Sequence, residues 1–238
     1  MYTSRRKFIK QSALTLATTA FASRSLFAAK PGQELVGLQL YSVRDEMKSD
    51  PLGTLKQLSA MGYKHVEHAN YVDRKFYGYP AKEFKKVLDD LGMEMPSGHT
   101  VLGGKHWDSS KKQFTDLWKY TVEDAAIAGQ QFVISPSLDK EYWKTADDLK
   151  RFMDVFNKSG ELCKKSGMKF GYHNHAFEFS EKLDGNTVYD IMLQTTDPEL
   201  VIQQLDIGNL YNGGAKAIGI VTKYPGRFES MHVKDEIT

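Results

Sequence analysis

Cysteine is almost absent from this sequence of 238 residues, which contains Cys163 alone. A single thiol cannot form an intramolecular disulfide, so the small disulfide-stabilised scaffolds are excluded. Cys163 follows Glu161 and Leu162 in a stretch with helical spacing. We therefore expect a packed structural thiol rather than a catalytic nucleophile.

Glycine-rich loops that bind phosphate are also missing. The pairs Gly103-Gly104 and Gly213-Gly214 fit neither the GxGxxG pattern of dinucleotide-binding folds nor the GxxxxGK[ST] pattern of nucleotide triphosphatases. The sequence therefore gives no reason to expect a fold organised around a bound nucleotide.

An excess of positive charge is confined to the first 29 residues. Of the 32 Lys and Arg residues, five lie there with no acidic residue, which leaves 27 basic against 30 acidic residues in the remainder. The net charge of that remainder is −3. Binding to a nucleic acid backbone needs clustered positive charge, so we exclude nucleic acid as the main partner.

No hydrophobic run is long enough for a stable membrane anchor. The uncharged residues 13–22 are too few to span a bilayer, and Arg5 and Arg6 precede them in a basic segment. Paired arginines before a short apolar run are typical of twin-arginine export signals. We predict that residues 1–29 are such a signal, that the mature domain does not insert into a membrane, and that the protein is periplasmic or otherwise exported.

Short apolar runs alternate with longer stretches of helical spacing along residues 30–238. The runs are 36–41, 65–69, 93–97, 132–135, 169–173, 201–205 and 228–233. Alternation of this kind predicts parallel strands joined by helical crossovers, in an open doubly wound sheet or a closed (β/α)8 barrel. Nearly every run ends in polar side chains, which favours the mouth of a TIM barrel. The eighth strand and its closing helix are missing from this count.

Imidazole and carboxylate groups collect at the ends of the last three predicted strands. His173 and His175 lie at the end of the fifth run on the same side of an extended chain, Asp206 closes the sixth and His232 the seventh. Such donors suit a divalent cation such as Mn²⁺, Co²⁺ or Zn²⁺. His99, which follows the third run, is a candidate ligand contact at the mouth, and loop packing explains it equally well.

Four segments together resemble the xylose isomerase-like barrel superfamily, often called the sugar phosphate isomerase/epimerase family. They are residues 36–45 (VGLQLYSVRD), 171–179 (GYHNHAFEF), 205–209 (LDIGN) and 231–235 (MHVKD). The resemblance implies a (β/α)8 barrel that holds a metal with residues of strands five to eight and acts on a sugar carbonyl and its neighbouring hydroxyl.

The resemblance also implies roles for individual residues. Asp206 and His232 match metal ligands, and His173 stands where relatives commonly have a ligating Glu. Glu178 is the candidate catalytic carboxylate for proton transfer. The remaining candidates are substrate-binding residues: Glu67, His99, His175 and Lys234.

We expect a metal-dependent isomerase or epimerase that moves a proton next to the carbonyl of a sugar or keto-sugar through an enediolate. An exported enzyme meets few sugar phosphates, so free sugars and keto-glycosides are the better substrates. Two alternatives stay open, a lyase acting on keto-glycosides and a non-catalytic carbohydrate-binding or truncated barrel. A DNA-repair nuclease of the same superfamily conflicts with the charge of the mature chain. An exposed strand edge would favour pairing between subunits, so a homo-oligomer is a further expectation.

Overall fold

The seven apolar runs form one parallel sheet. The structure is a computed structural model that describes residues 36–234, so the predicted signal, residues 1–29, lies outside the described part and stays a prediction. The strands are Gly37–Gln39 (β1), His65–His68 (β2), Glu94–His99 (β3), Phe132–Ser135 (β4), Lys169–His173 (β5), Val201–Asp206 (β6) and Phe228–His232 (β7). Each strand pairs in parallel with the next one along the chain.

Helices connect consecutive strands, as the alternating pattern predicts. They are Arg44–Ser49 (α1), Pro51–Ala60 (α2), Ala81–Asp90 (α3), Asp116–Ile127 (α4), Ala146–Lys165 (α5), Phe177–Ser180 (α6), Val188–Thr195 (α7), Ile207–Asn212 (α8) and Ala217–Lys223 (α9). The result is a curled α/β sheet that corresponds to an incomplete TIM barrel. Within residues 36–234 the sheet has no eighth strand, so β1 and β7 are its two edges.

Local sequence explains where several helices begin. Asp50 accepts a hydrogen bond from the backbone of Gly53 and Pro51 occupies the first position of α2, where its missing N–H costs nothing. Thr145 and Asp148 form a reciprocal capping box at the start of α5. These caps fix the helix ends beside the loops that follow the strands.

Apolar side chains pack on both faces of the strands. On β5, Phe170 and Tyr172 face the helices, while Gly171 faces the barrel interior next to Ile134 and Ile202. A Cβ at Gly171 would lie only 2.6 Å from Ile134, so glycine makes room for these two side chains. Every residue of β6 is buried, as expected for a parallel strand covered on both faces.

The loops that follow β2, β3 and β5 carry short antiparallel hairpins. Their paired segments are Tyr71–Val72, Lys75–Phe76 and Tyr79–Pro80 after β2, Trp107–Asp108 and Gln113–Phe114 after β3, and Lys182–Leu183 and Asn186–Thr187 after β5. They build up the side of the barrel where the strands end. None of the helices within residues 36–234 has the length and apolar character needed to cross a bilayer.

Candidate active site

A buried carboxylate, Glu67 at the end of β2, receives three hydrogen bonds inside the barrel mouth and forms an ion pair with His99. Its Oε2 accepts from Ser97 Oγ at 2.6 Å and from Gln204 Nε2 at 2.7 Å. Its Oε1 lies 2.8 Å from His232 Nε2 and 3.0 Å from His99 Nε2. Because both oxygens are fully occupied by protein groups, Glu67 orients its neighbours rather than offering a free carboxylate.

Gln204 on β6 is the second centre of this network. Its Oε1 lies 2.6 Å from His99 Nε2 and 3.1 Å from His173 Nδ1, and its Nε2 also donates to Ser230 Oγ at 3.1 Å. An amide oxygen only accepts, so these contacts place a proton on His173 Nδ1 and on His99 Nε2. The carboxylate of Glu67 in the same way places the proton of His232 on Nε2.

The unprotonated nitrogens of two histidines then point at one carboxylate oxygen. Asp206 Oδ2 lies 3.8 Å from His173 Nε2 and 3.9 Å from His232 Nδ1. These distances are too long for hydrogen bonds. Ligands bound to a shared cation at about 2.0 to 2.2 Å lie roughly 3 to 4 Å from one another, so the spacing matches three ligands around a cation.

His99 joins the two other imidazoles in a compact group. Ligand atoms of His99, His173 and His232 all lie within 4.8 Å of one another. Both ring nitrogens of His99 already have partners, because Nδ1 also lies 3.2 Å from Gln39 Nε2. His173 and His232 could therefore bind a cation together with either His99 or Asp206. The set with Asp206 leaves the hydrogen bonds of His99 to Gln39 and Gln204 intact.

Burial and neighbouring charges set the protonation of the site. Burial, followed by the nearby imidazoles of His99 and His232, lowers the pKa of His173 to about 2, so this ring is neutral. Burial acts to raise the pKa of Glu67, but the charge of His99 and the hydrogen bonds from His232 and His99 outweigh it and hold the pKa well below its usual value. A neutral imidazole is the form of histidine that binds metals, and the ionised Glu67 accepts the hydrogen bond that orients His232.

His175 lies at the open side of the same group. Its ring centroid is 5.3 Å from that of His173, and it is partly exposed. Burial lowers its pKa, although the charge of Asp206 opposes the shift. Lys234 is exposed after β7, where its Nζ donates to Asn209 Oδ1 at 3.2 Å.

A family model described as xylose isomerase-like TIM barrel matches residues 55–237, more than half of the chain. The chain belongs to the xylose isomerase-like TIM barrel family. The resemblance stated from the four sequence segments is therefore confirmed.

Relatives in this family differ in the reactions that their names give. An inosose dehydratase of Clostridium perfringens is 26% identical over 195 residues, which cover 76% of this chain and 62% of that protein. A crystal structure of a sugar phosphate isomerase/epimerase from Parabacteroides distasonis superposes with a TM-score of 0.76 at 28% identity and covers 89% of this chain and 79% of that one. A D-psicose 3-epimerase from Clostridium cellulolyticum, at 12% identity and a TM-score of 0.58 over 77% of this chain and 67% of that one, supports the fold alone.

The donor set fits a divalent cation of the kind used in this family of sugar enzymes. His173 and His232 each anchor one nitrogen on a protein acceptor and leave the other open, the usual arrangement of metal-binding histidines. The third donor, Asp206, uses Oδ1 to accept from the Asn209 backbone at 2.7 Å and keeps Oδ2 towards the histidines. Nitrogen and oxygen donors together suit Zn²⁺, Mn²⁺ or Co²⁺ without selecting among them.

Both oxygens of Glu178, the predicted catalytic carboxylate, accept hydrogen bonds from protein groups. Its Oε1 accepts from Tyr172 OH at 2.5 Å and its Oε2 from the His175 backbone at 2.8 Å. Tyr172 belongs to the helix-facing core, where its ring lies 5.8 Å from Phe156. Glu178 is fully buried, and burial raises its pKa to about 7. Its hydrogen bonds to Tyr172 and to the His175 backbone indicate that this carboxyl group stabilises the loop after β5.

Sequence reasoning missed two polar residues that complete the site, Gln204 and Ser97. Gln204 lies two residues before Asp206 on β6 and Ser97 lies two residues before His99 on β3, so the alternation of a strand would have placed each on the inward face. Gln39 ends β1 and reaches His99. Strand β3 continues through His99, beyond the predicted end at residue 97, which carries this imidazole into the group.

Proposed function

We propose that this protein is a metal-dependent enzyme that moves a proton next to the carbonyl of a sugar or keto-sugar, as an isomerase or epimerase. The observation that supports the proposal best is the convergence of His173 Nε2 and His232 Nδ1 on Asp206 Oδ2 inside a barrel of the sugar isomerase type. These three residues would hold the cation. When bound, it would polarise a carbonyl and an adjacent hydroxyl oxygen and so acidify the carbon-bound proton between them.

The protein groups around this position have separate tasks in the proposal. Glu67 and Gln204 fix the rings of the ligating histidines through the hydrogen bonds described above. His175, beside His173 and neutral because burial lowers its pKa, accepts the carbon-bound proton at a ring nitrogen. Lys234 is the proposed contact for a sugar oxygen, whereas both ring nitrogens of His99 are bound by protein groups. Glu178 supports the loop that carries His175 instead of transferring the proton itself.

A second candidate, elimination, begins with the same proton removal. If the carbon next to the resulting carbanion carries a leaving group, that group can depart and a double bond forms. Loss of water would make the protein a dehydratase, and loss of an alcohol would make it a glycoside lyase. Relatives named inosose dehydratase, 26% identical over 76% of this chain, favour this outcome. The chain spans 62% of the length of that relative, so the substrate of the whole protein belongs to the proposal as well.

The sequence supports an exported location for this chemistry. The twin arginines and the short apolar run within residues 1–29 motivate the proposal that the folded enzyme leaves the cytoplasm. Free sugars and keto-glycosides are then the expected substrates. Loss of export when Arg5 and Arg6 are both changed to Lys, measured by fractionation of cells, would support this part.

Solvent exchange separates the enzymatic proposal from a carbohydrate-binding barrel. We expect protein loaded with Mn²⁺ or Co²⁺ to exchange the proton next to the carbonyl of a keto-sugar for deuterium, followed by NMR in deuterated water. An Asp206→Ala variant should show no exchange. Binding of the keto-sugar without exchange, with the cation demonstrably bound, would favour the non-catalytic alternative. Formation of an unsaturated product, with loss of water or an alcohol from the substrate, would identify the elimination.

A further inference from the structure

We infer that Asn174 and Asn209 are positioning residues that fix the Asp206 carboxylate for cation binding, an inference that rests on the metal site proposed above. Neither residue belongs to the ligand set. Together they connect the ends of β5, β6 and β7 beneath that set through five hydrogen bonds of 2.7 to 3.2 Å. Their effect on the cation therefore acts through Asp206.

The side chain of Asn174 continues the sheet where its backbone pairing stops. The register of β5 with β6 ends at His173 opposite Gln204. Two residues further along β6, Asn174 Oδ1 accepts from the Asp206 backbone N–H at 2.9 Å and Asn174 Nδ2 donates to the Asp206 carbonyl at 3.0 Å. This pair of bonds replaces one rung of the ladder and keeps β6 extended as far as Asp206.

Asn209 fixes the carboxylate itself. Its backbone N–H donates to Asp206 Oδ1 at 2.7 Å, which makes Asp206 the N-cap of α8. Its side-chain Nδ2 donates to the Asn174 carbonyl at 3.0 Å. One carboxylate oxygen is thereby committed to the helix, and the other, Oδ2, is left facing His173 and His232.

Only an amide side chain can make both hydrogen bonds at position 174. The side chain is fully buried, and it must accept from one backbone group and donate to another at once. An apolar residue would leave the N–H and the C=O of Asp206 without these partners in the interior. A carboxylate at this place would set an oxygen against the Asp206 carbonyl.

The fold contains a matched control for this arrangement. Asn157 on α5 makes the same kind of double contact, because Nδ2 donates to the Thr195 carbonyl at 3.2 Å and Oδ1 accepts from the Asp197 backbone at 2.8 Å. It joins α5 to the connection before β6, at the end of the strand opposite Asp206. Removing this side chain should lower stability without reaching the cation.

The test is a titration of metal-free protein with Co²⁺, followed by calorimetry and by visible absorption, which reports the coordination of the ion. We expect Asn174→Ala to weaken Co²⁺ binding about 10- to 100-fold and to alter the visible spectrum. Asn209→Ala keeps the backbone N–H that binds Asp206 and loses only the side-chain bonds to Asn174 and Lys234, so it should weaken binding by a smaller factor and alter the spectrum in the same direction. Asn157→Ala should lower the melting temperature and leave both binding and spectrum unchanged. Asn209 is only partly buried, so its variant remains informative where Asn174→Ala folds poorly.

Asp206→Ala separates failure of this inference from failure of the metal site. The positioning role alone would be overturned by the following result. The wild type binds Co²⁺ and Asp206→Ala does not, but Asn174→Ala and Asn209→Ala both bind it as tightly as Asn157→Ala does. Equal binding by the wild type and Asp206→Ala would overturn the proposed site and the inference with it.

Discussion

Tyr172 and His173 are neighbours on β5 but belong to opposite faces of the sheet. The His173 ring lies 4.9 Å from that of His99 in the barrel mouth, whereas the Tyr172 hydroxyl donates to Glu178 at 2.5 Å within the helix-facing core. Adjacent residues of a strand point in opposite directions, so Tyr172 faces the helices and its hydrogen bond holds Glu178 on that outer face. The same segment therefore supplies a ligand on one face and a loop support on the other.

Replacing Glu178 by Gln should remove a pH dependence of stability. Burial raises the pKa of Glu178 from 4.5 to about 7, so the folded protein keeps the proton after the unfolded chain has lost it. The wild-type free energy of unfolding should therefore fall, through this group, as the pH rises from about 4.5 to 7. A difference of about 2.5 pKa units corresponds to about 3 kcal/mol. Urea unfolding of both proteins between pH 4.5 and 8 measures the effect.

The comparison needs the difference between the two proteins, since histidines also titrate in this range. Glu178→Gln should gain stability over the wild type as the pH rises, and the difference should level off above about pH 7. It should also keep proton-exchange activity with the keto-sugar. A loss of activity of 10²-fold or more in a folded Glu178→Gln protein is the size expected for a catalytic acid or base and would support the sequence-based prediction that Glu178 is catalytic.

Replacing Glu67 by Gln should destabilise the metal-free protein. The four donors around Glu67 need two oxygen acceptors, and a Gln side chain would turn an NH2 group towards one pair of them. We expect a loss of about 2 to 3 kcal/mol in the free energy of unfolding. Glu161→Gln, on the exposed face of α5, should change it by less than about 0.5 kcal/mol. Denaturant titrations measure both changes in the free energy of unfolding. Equal losses in Glu67→Gln and Glu161→Gln would contradict the role given to Glu67.

The sequence predicted the fold well because parallel strands leave a strong local signal. Each of the seven apolar runs is a strand in the structure, and the polar residues at their ends meet at one mouth. His173, Asp206 and His232 lie together as expected, since they end consecutive neighbouring strands. Strand order and alternation therefore carry enough information to collect these three side chains.

Contacts made after a strand ends were harder to predict. Glu178 lies on α6, a single helical turn whose orientation determines whether the side chain faces the barrel mouth or the helices. Sequence spacing gave no signal for its hydrogen bond with Tyr172. His99 stood equally between a sugar contact and loop packing until the extension of β3 placed it. Gln204 gave no chemical signal as a site residue, because its importance comes from hydrogen bonds to residues far away in the chain.

His173→Ala should abolish retention of the bound cation. The ring contributes an open nitrogen towards Asp206 and is held by Gln204, so its removal takes away one of three ligands. Metal content of freshly purified protein, measured by mass spectrometry, should fall to the background level. His106→Ala is the control, because His106 is buried in a loop, accepts from the Gly103 backbone at 3.0 Å and packs on Trp118. Metal retained by His173→Ala at the wild-type level would contradict the ligand assignment.

Gly98→Ala should destabilise the fold through a clash with His68. The two residues are paired across β2 and β3, and a Cβ at Gly98 would lie 1.9 Å from the His68 ring. That ring is fully buried against Phe76 and has little room to move, so we expect a loss of about 3 kcal/mol in the free energy of unfolding. Gly219→Ala on α9, where no atom lies within 4 Å of the added Cβ, should instead gain up to about 1 kcal/mol.

A double-mutant cycle tests whether the His68 ring is the cause. In a His68→Ala background the added methyl group enters the space left by the ring, so Gly98→Ala should cost at least about 2 kcal/mol less there than in the wild type. Chemical denaturation of the four proteins gives the coupling. Additive losses would show that Gly98 is required by its backbone or by the Gln130 amide, 2.8 Å from the same Cβ position, rather than by the imidazole.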